Sequence, residues 1–162
     1  MGTQRLLVFP DTTIPHPGGF QVPVWDPTMS EEKSILCVED HEDTRTLLAI
    51  LLELLGYTVL TATTVSDGLR IAVRSRIDLF LIDTWLPDGS GIDLCRRIRA
   101  VDPSAPILFV SGVGDKATRE EAMAAGAQAY MLKPTDFFEF GETIGRLIRE
   151  SKAAKRSAGS VE

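Results

Sequence analysis

The sequence predicts an α/β fold, a doubly wound five-stranded parallel sheet covered by helices on both faces. Three observations point there. Short apolar runs recur five times, and a continuous run suits a strand buried on both faces. Each is followed by a segment with apolar residues at helical spacing. The connections are short, and strict alternation with right-handed crossovers builds such units into one open sheet.

The elements follow in order. Ile35, Leu36, Cys37 and Val38 form the first strand, which ends in acids. Residues 44–55 place leucines and an isoleucine at helical spacing, and Gly56 stops them as a glycine stops a helix. Residues 57–62 are rich in β-branched side chains and make the second strand. Residues 65–75 are helical, with Leu69, Ile71, Ala72 and Val73. The third strand, 77–82, is apolar apart from Asp78 and ends at Asp83. Residues 87–91, Pro-Asp-Gly-Ser-Gly, are a loop of turn residues, and Asp88 shapes that turn. A helix over 92–101 is closed off by Pro103 and Pro106. The fourth strand is 107–110, the fourth helix 116–125 stops at Gly126, and the fifth strand is 129–132. Thr135 leads the last helix, through Phe137, Phe138, Phe140, Ile144, Leu147 and Ile148. Three aromatics in four positions cannot share one helix face, so at least one is expected at the surface. The basic residues Arg146, Arg149, Lys152, Lys155 and Arg156 complement that helix's C-terminal dipole.

The chain has 162 residues, room for one domain with modest appendages at about 150 residues per domain. Residues 1–32 are a proline-rich extension with five of the nine prolines, expected to be poorly ordered because proline removes a donor and fixes φ. Met29 reads as a natural start, with 1–28 as a dispensable leader; an arm docked on the body is the alternative. The body is 33–150, and 151–162 is a small and charged tail, expected to fray. The balance of 23 acids against 17 bases, net −6, argues against general nucleic-acid affinity, which needs a basic face. No apolar run reaches the ~20 residues that span a bilayer, and no signal sequence opens the chain. Cys37 and Cys95 are too few for a disulfide framework and read as buried thiols in a cytoplasmic protein.

Open parallel sheets carry their functional crevice beyond the strands' carboxyl ends. Here the first strand ends in Glu39 and Asp40, the third in Asp83, the fourth in Ser111 and the fifth in Lys133 and Pro134. Three acids gathered after apolar strands need positive charge to offset desolvation and repulsion. Lys133 supplies one fixed charge, and a hard cation with oxygen ligands, Mg²⁺ above all, supplies the rest. His41 follows the acids, but a lone histidine without a second imidazole at ligand spacing reads as solvated.

Those residues carry a resemblance. Ile35-Leu36-Cys37-Val38-Glu39-Asp40, the stretch Asp83-Thr84-Trp85-Leu86-Pro87-Asp88-Gly89-Ser90-Gly91, then Val110-Ser111-Gly112 and Lys133-Pro134 occur in the order and at distances similar to the receiver domain of two-component response regulators. The resemblance covers about residues 33–150. It implies a flavodoxin-like sheet of order 2-1-3-4-5. It implies that Asp83 accepts a phosphoryl group from a histidine kinase or histidine phosphotransfer protein. Glu39, Asp40, Asp83 and the backbone carbonyl of Trp85 would hold Mg²⁺, Lys133 would pair with the phosphoryl oxygens, and Ser111 would hydrogen-bond one of them. Tyr130 stands at the aromatic switch position, although simple core is its plainer reading.

Three residues depart from the common pattern without removing a needed group: Glu39 for aspartate, and Ser111-Gly112 for threonine-alanine. Trp85 is bulky for its place. It and Val113 flank the path of a water attacking the phosphoryl group, so autodephosphorylation is expected to be slow. The implied protein is a stand-alone signalling module and not an enzyme. Its output is contact with an unknown downstream protein through the fourth helix, fifth strand and fifth helix, with homodimerisation on phosphorylation a further expectation and no contact with DNA or membrane. A haloacid-dehalogenase-like phosphatase is the alternative, but its second acid would stand at Trp85. A flavodoxin-like cofactor binder would need a phosphate loop where this chain has Glu39-Asp40-His41-Glu42-Asp43.

Overall fold

The structure, a computed structural model, describes residues 32–134 and 137–158. The expected disorder of residues 1–31, and Thr135 as leader of the last helix, lie outside the described residues. The elements run β1 (Ser34–Val38), α1 (Glu42–Leu54), β2 (Thr58–Ala62), α2 (Val65–Arg74), β3 (Leu79–Ile82), β4 (Trp85–Leu86), β5 (Gly89–Ser90), α3 (Gly91–Val101), β6 (Ile107–Ser111), α4 (Lys116–Ala124), β7 (Ala129–Leu132) and α5 (Phe137–Ala158). Five strands form one sheet of order β2-β1-β3-β6-β7, parallel at every pairing. Counting only its members, that is the order 2-1-3-4-5. The sheet is the doubly wound, flavodoxin-like one the sequence predicts.

Side chains along each strand go alternately to the two faces. Leu36, Val38, Phe80, Ile82 and Phe109 pack with Ile92, Leu94 and Ile98 of α3 and with Val65 of α2. Ile35, Cys37, Leu79, Leu81, Leu108 and Val110 pack on the other face, with Leu48 and Leu52 of α1 and Phe140, Ile144 and Leu147 of α5. Both faces are buried, which is why these strands read as continuous apolar runs. Cys37 and Cys95 are buried free thiols. Among the aromatics at the start of α5, Phe140 is buried and Phe138 is exposed.

Most element ends shift by one or two residues, and three larger differences have a physical cause. β3 begins at Leu79 and not at 77: the carboxylate of Asp78 accepts from Ser34 N–H at 2.9 Å, outside the strand ladder. The segment expected as a plain loop contains a short hairpin, with Trp85 opposite Ser90 and Leu86 opposite Gly89. Asp88, at its tip, reaches α2 and accepts from Val65 N–H (2.6 Å), Ser66 N–H (3.0 Å) and Ser66 Oγ–H (2.7 Å), so it caps that helix as well as sitting in a turn. Finally, α5 runs on to Ala158, through most of the tail expected to fray. Ala153, Ala154 and Lys155 are strong helix formers, Ser151 Oγ–H donates to Ser104 O at 3.1 Å, and Lys155 Nζ lies 3.6 Å from Asp102.

Candidate functional site

The chain winds outward from β1 in both directions, to β2 on one side and β3 on the other. The ends of β1 and β3 therefore flank the point where winding reverses, the place where open α/β sheets bind ligands. Glu39 and Asp40 follow β1, and Asp83 follows β3. Their backbones are tied to neighbouring strands: Glu39 N–H donates to Ala62 O at 3.0 Å, and Asp83 N–H to Val38 O at 2.9 Å. One carboxylate oxygen from each of the three acids lies within 4.8 Å of the others. Glu39 is buried at 1% exposure, whereas Asp40 is exposed.

Lys133, just beyond β7, reaches across the sheet end. Its ammonium donates a hydrogen bond to Glu39 Oε2 and stands 3.4 Å from Asp83 Oδ1. That second contact is an ion pair without hydrogen-bond geometry, because Asp83 Oδ1 is a buried oxygen with no hydrogen-bond partner. It is the only such side-chain atom among the described residues. A buried carboxylate oxygen without a donor is costly unless a cation or a donor on a ligand meets it. Glu39 differs: Lys133 takes one of its oxygens and His41 N–H (3.2 Å) the other. The carboxylate oxygens of Glu39, Asp40 and Asp83, gathered within 4.8 Å of one another, suit a hard cation such as Mg²⁺.

The acidic field reaches into the sheet. Burial and, after it, the Glu39 carboxylate push the neighbouring Cys37 thiol up to about 12.

Ser111 closes β6 with its side chain fully buried, and its Oγ accepts from Val113 N–H at 3.2 Å. Its backbone carbonyl takes Lys133 N–H at 2.9 Å, which joins the serine and lysine ends of the site. Tyr130 lies outside the carboxylate cluster. It is buried in β7, stacks on Phe109 with ring centroids 5.9 Å apart, and donates its hydroxyl to Val113 O at 2.7 Å. The Trp85 indole stands 63% exposed at the hairpin.

Three residues of the site escape the sequence patterns. Arg45 Nη1 donates to the carbonyls of both Glu39 and Asp40, each at 3.0 Å, and so holds the acidic turn from the first turns of α1. Thr84 is 1% exposed, and its hydroxyl meets the Tyr130 hydroxyl at 3.2 Å. Gly91 packs so close to Asp83 that a Cβ there would stand 1.9 Å from the Asp83 carbonyl oxygen. Only the glycine in the Gly-Ser-Gly run leaves a sequence trace, and it reads equally well as turn chemistry.

Comparison with known proteins covers the same region. A family model described as the response regulator receiver domain matches residues 35–144. The response regulator protein PilR of Pseudomonas aeruginosa is 33% identical over 121 residues, 75% of this chain and 27% of that protein. A CheY-like receiver domain protein from Methanospirillum hungatei has a solved structure similar at TM-score 0.72 and 29% identity, over 75% of this chain and 98% of that one. The receiver domain of the sensor histidine kinase PA1611 of Pseudomonas aeruginosa, solved with a magnesium ion in its active site cleft, is similar at TM-score 0.68 and 31% identity, over 72% and 97%. The chain spans between about a quarter and about half of the curated relatives it matches, 27% of PilR and 52% of PhoP from Bacillus subtilis.

Proposed function

The chain belongs to the response regulator receiver domain family of two-component systems, and on that premise we propose that Asp83 is its phosphoacceptor. One observation carries the proposal: Asp83 Oδ1 is buried and without a hydrogen-bond donor, 3.4 Å from Lys133 Nζ, on a residue whose carboxylate clusters with those of Glu39 and Asp40. An Asp83 oxygen attacks phosphorus on a phosphohistidine of a kinase or phosphotransfer protein. The P–O bond forms, the P–N bond breaks, and the electron pair leaves on the imidazole nitrogen. Such transfer depends on positioning and charge neutralisation more than on covalent help. Glu39, Asp40, Asp83 and the backbone carbonyl of Trp85 would hold Mg²⁺, which would supply positive charge to offset that of the transferring oxygens. Lys133 pairs with the phosphoryl group, Ser111 donates to one of its oxygens, and Tyr130 passes the change to the surface beyond β7.

The output is contact with a downstream protein in the cytoplasm, or with a second copy of the chain, and not a direct grip on DNA. Among the described residues no helix is long and apolar enough to cross a membrane. A haloacid-dehalogenase-like phosphatase is not supported, because Trp85 occupies the place of its second acid and the similarities run to receivers.

Acetyl phosphate with Mg²⁺ is expected to add one phosphoryl group, read by intact mass, and Asp83→Asn is expected to take none. Equal labelling of that variant would put the acceptor elsewhere.

A further inference from the structure

Beyond β1 the chain leaves the sheet through a short connection that carries two of the three acids, and one residue holds that connection. Arg45, early in α1, meets three consecutive carbonyls. Its backbone N–H donates to His41 O at 2.9 Å. Its Nη1 donates to Glu39 O and to Asp40 O, each at 3.0 Å.

We infer that Arg45 is a positioning residue that fixes the Glu39–Asp40 backbone and thereby makes the acidic site select Mg²⁺ over the larger Ca²⁺. This rests on the reading of Glu39, Asp40 and Asp83 as the ligands of a divalent cation.

The two ions differ in what they ask of a site. Mg²⁺ takes near-ideal octahedral geometry at about 2.0–2.1 Å, whereas Ca²⁺ accepts more oxygens at about 2.3–2.6 Å in flexible arrangements. A fixed backbone suits the first ion, and a site that can spread suits the second. Two of the acids are held from elsewhere. Glu39 is buried, with Lys133 on Oε2 and His41 N–H on Oε1, and Asp83 N–H donates to Val38 O at 2.9 Å. Asp40 is exposed and follows the paired residues of β1, which end at Val38. The bond from Arg45 to its carbonyl restrains its backbone where the sheet no longer does.

Charge alone would act with the opposite sign. A guanidinium beside the acidic turn repels an incoming cation, so its removal, acting through charge, would tighten binding of both ions. Loss of a positioning contact weakens binding, and weakens it most for the ion that tolerates distortion least. Residues that orient a metal's ligands are commonly worth about 10- to 100-fold in affinity.

Trp25 and Trp85 are the two tryptophans of the chain, so in a Trp25→Phe background the fluorescence of Trp85, two residues after Asp83, reports ion binding alone. Arg45→Met keeps an unbranched, helix-forming side chain and removes both hydrogen bonds of Nη1. Its Mg²⁺ affinity is expected to fall by about 10- to 100-fold. Its Ca²⁺ affinity is expected to fall by less, so that the preference moves toward Ca²⁺. Arg45→Lys keeps the charge on a shorter stem without the planar fork, and is expected to move the preference the same way by a smaller factor. It supplies the same contrast if the methionine variant does not fold. A merely weakened fold lowers both affinities by a common factor. Affinities for Mg²⁺ and Ca²⁺ that fall together in this way, that rise, or that stay unchanged would overturn the inference. A parent protein whose Trp85 fluorescence and acetyl phosphate labelling both ignore Mg²⁺ would instead overturn the metal reading beneath it.

Discussion

Gly91 does its work by having no side chain. A Cβ at this position would meet Asp83 O at 1.9 Å and Ile82 Cγ2 at 2.8 Å, so any other residue displaces the end of β3. Gly91→Ala is expected to cost about 3 kcal/mol by overpacking, read from a denaturant midpoint. It should also slow phosphorylation by about 100-fold, the effect of misplacing a reacting group by 1 Å. Asp83 itself was legible from its place after an apolar run, whereas the need for glycine eight residues later arises only from a contact. Trp85 and Val113 pose a second question at this scale. Val113 has no polar side-chain atom and the Trp85 indole offers only an N–H donor, so neither side chain can accept a proton from an attacking water. Trp85→Asn combined with Val113→Glu is expected to accelerate loss of phosphate from the purified phosphoprotein in Mg²⁺. Equal decay of the two proteins would remove these side chains from the hydrolysis path.

Among the elements, β1 is expected to lose stabilisation in alkali through Cys37. Cys37 lies in it with 0% exposure, and burial raises the thiol from an ordinary 9.0 to about 12. A pKa raised in the fold means that the unfolded chain loses this proton first. The stabilisation is complete below pH 9 and is lost as pH rises toward 12, at up to about 1.4 kcal/mol per pH unit within that window. Alkaline unfolding of Cys37→Ala should lack this component of the slope. In the native protein at pH 8, a disulfide reagent such as Ellman's is expected to leave Cys37 unmodified, and in denaturant to modify it fully. The β4–β5 hairpin shows the opposite sign. Hydrogen bonds from Ser66, its side chain first, hold the Asp88 carboxyl below the ordinary aspartate range. That cap on α2 is in force at neutral pH and weakens as acid protonates Asp88. The turn composition of 87–91 was readable, but the two-residue ladder and the cap were not, because the groups Asp88 satisfies are 22 and 23 residues away.

Across the whole molecule, Arg99 joins the end of α3 to the entrances of β6 and β7. Its guanidinium donates to Gly126 O, Asp102 O, Ala105 O and Gln128 Oε1. Burial lowers its pKa from the usual arginine value. Arg99→Ala is expected to cost about 2 kcal/mol of unfolding free energy, since several carbonyls lose a charged donor at once. Arg99→Lys is expected to restore little of it, because an ammonium cannot fork across four acceptors. A denaturant midpoint unchanged in either variant would show that water replaces these bonds without loss.

The sequence by itself determined the strand and helix units and the acids, hydroxyl and amine at their ends. Strands buried on both faces must be continuous apolar runs, and a polar residue after such a run marks where the sheet meets solvent. The motifs around those ends also identified the family, and with it the strand order. Tertiary structure alone decided how the site is wired. It paired Lys133 with Glu39 as well as Asp83, left Asp83 Oδ1 without a donor, and set Thr84 against Tyr130 across 46 positions of chain. It also carried α5 to Ala158, over residues whose composition alone suggested a frayed end. The physical reason is range: periodicity and turn chemistry act within a few residues, whereas these contacts depend on which strand ends the sheet brings within hydrogen-bonding distance.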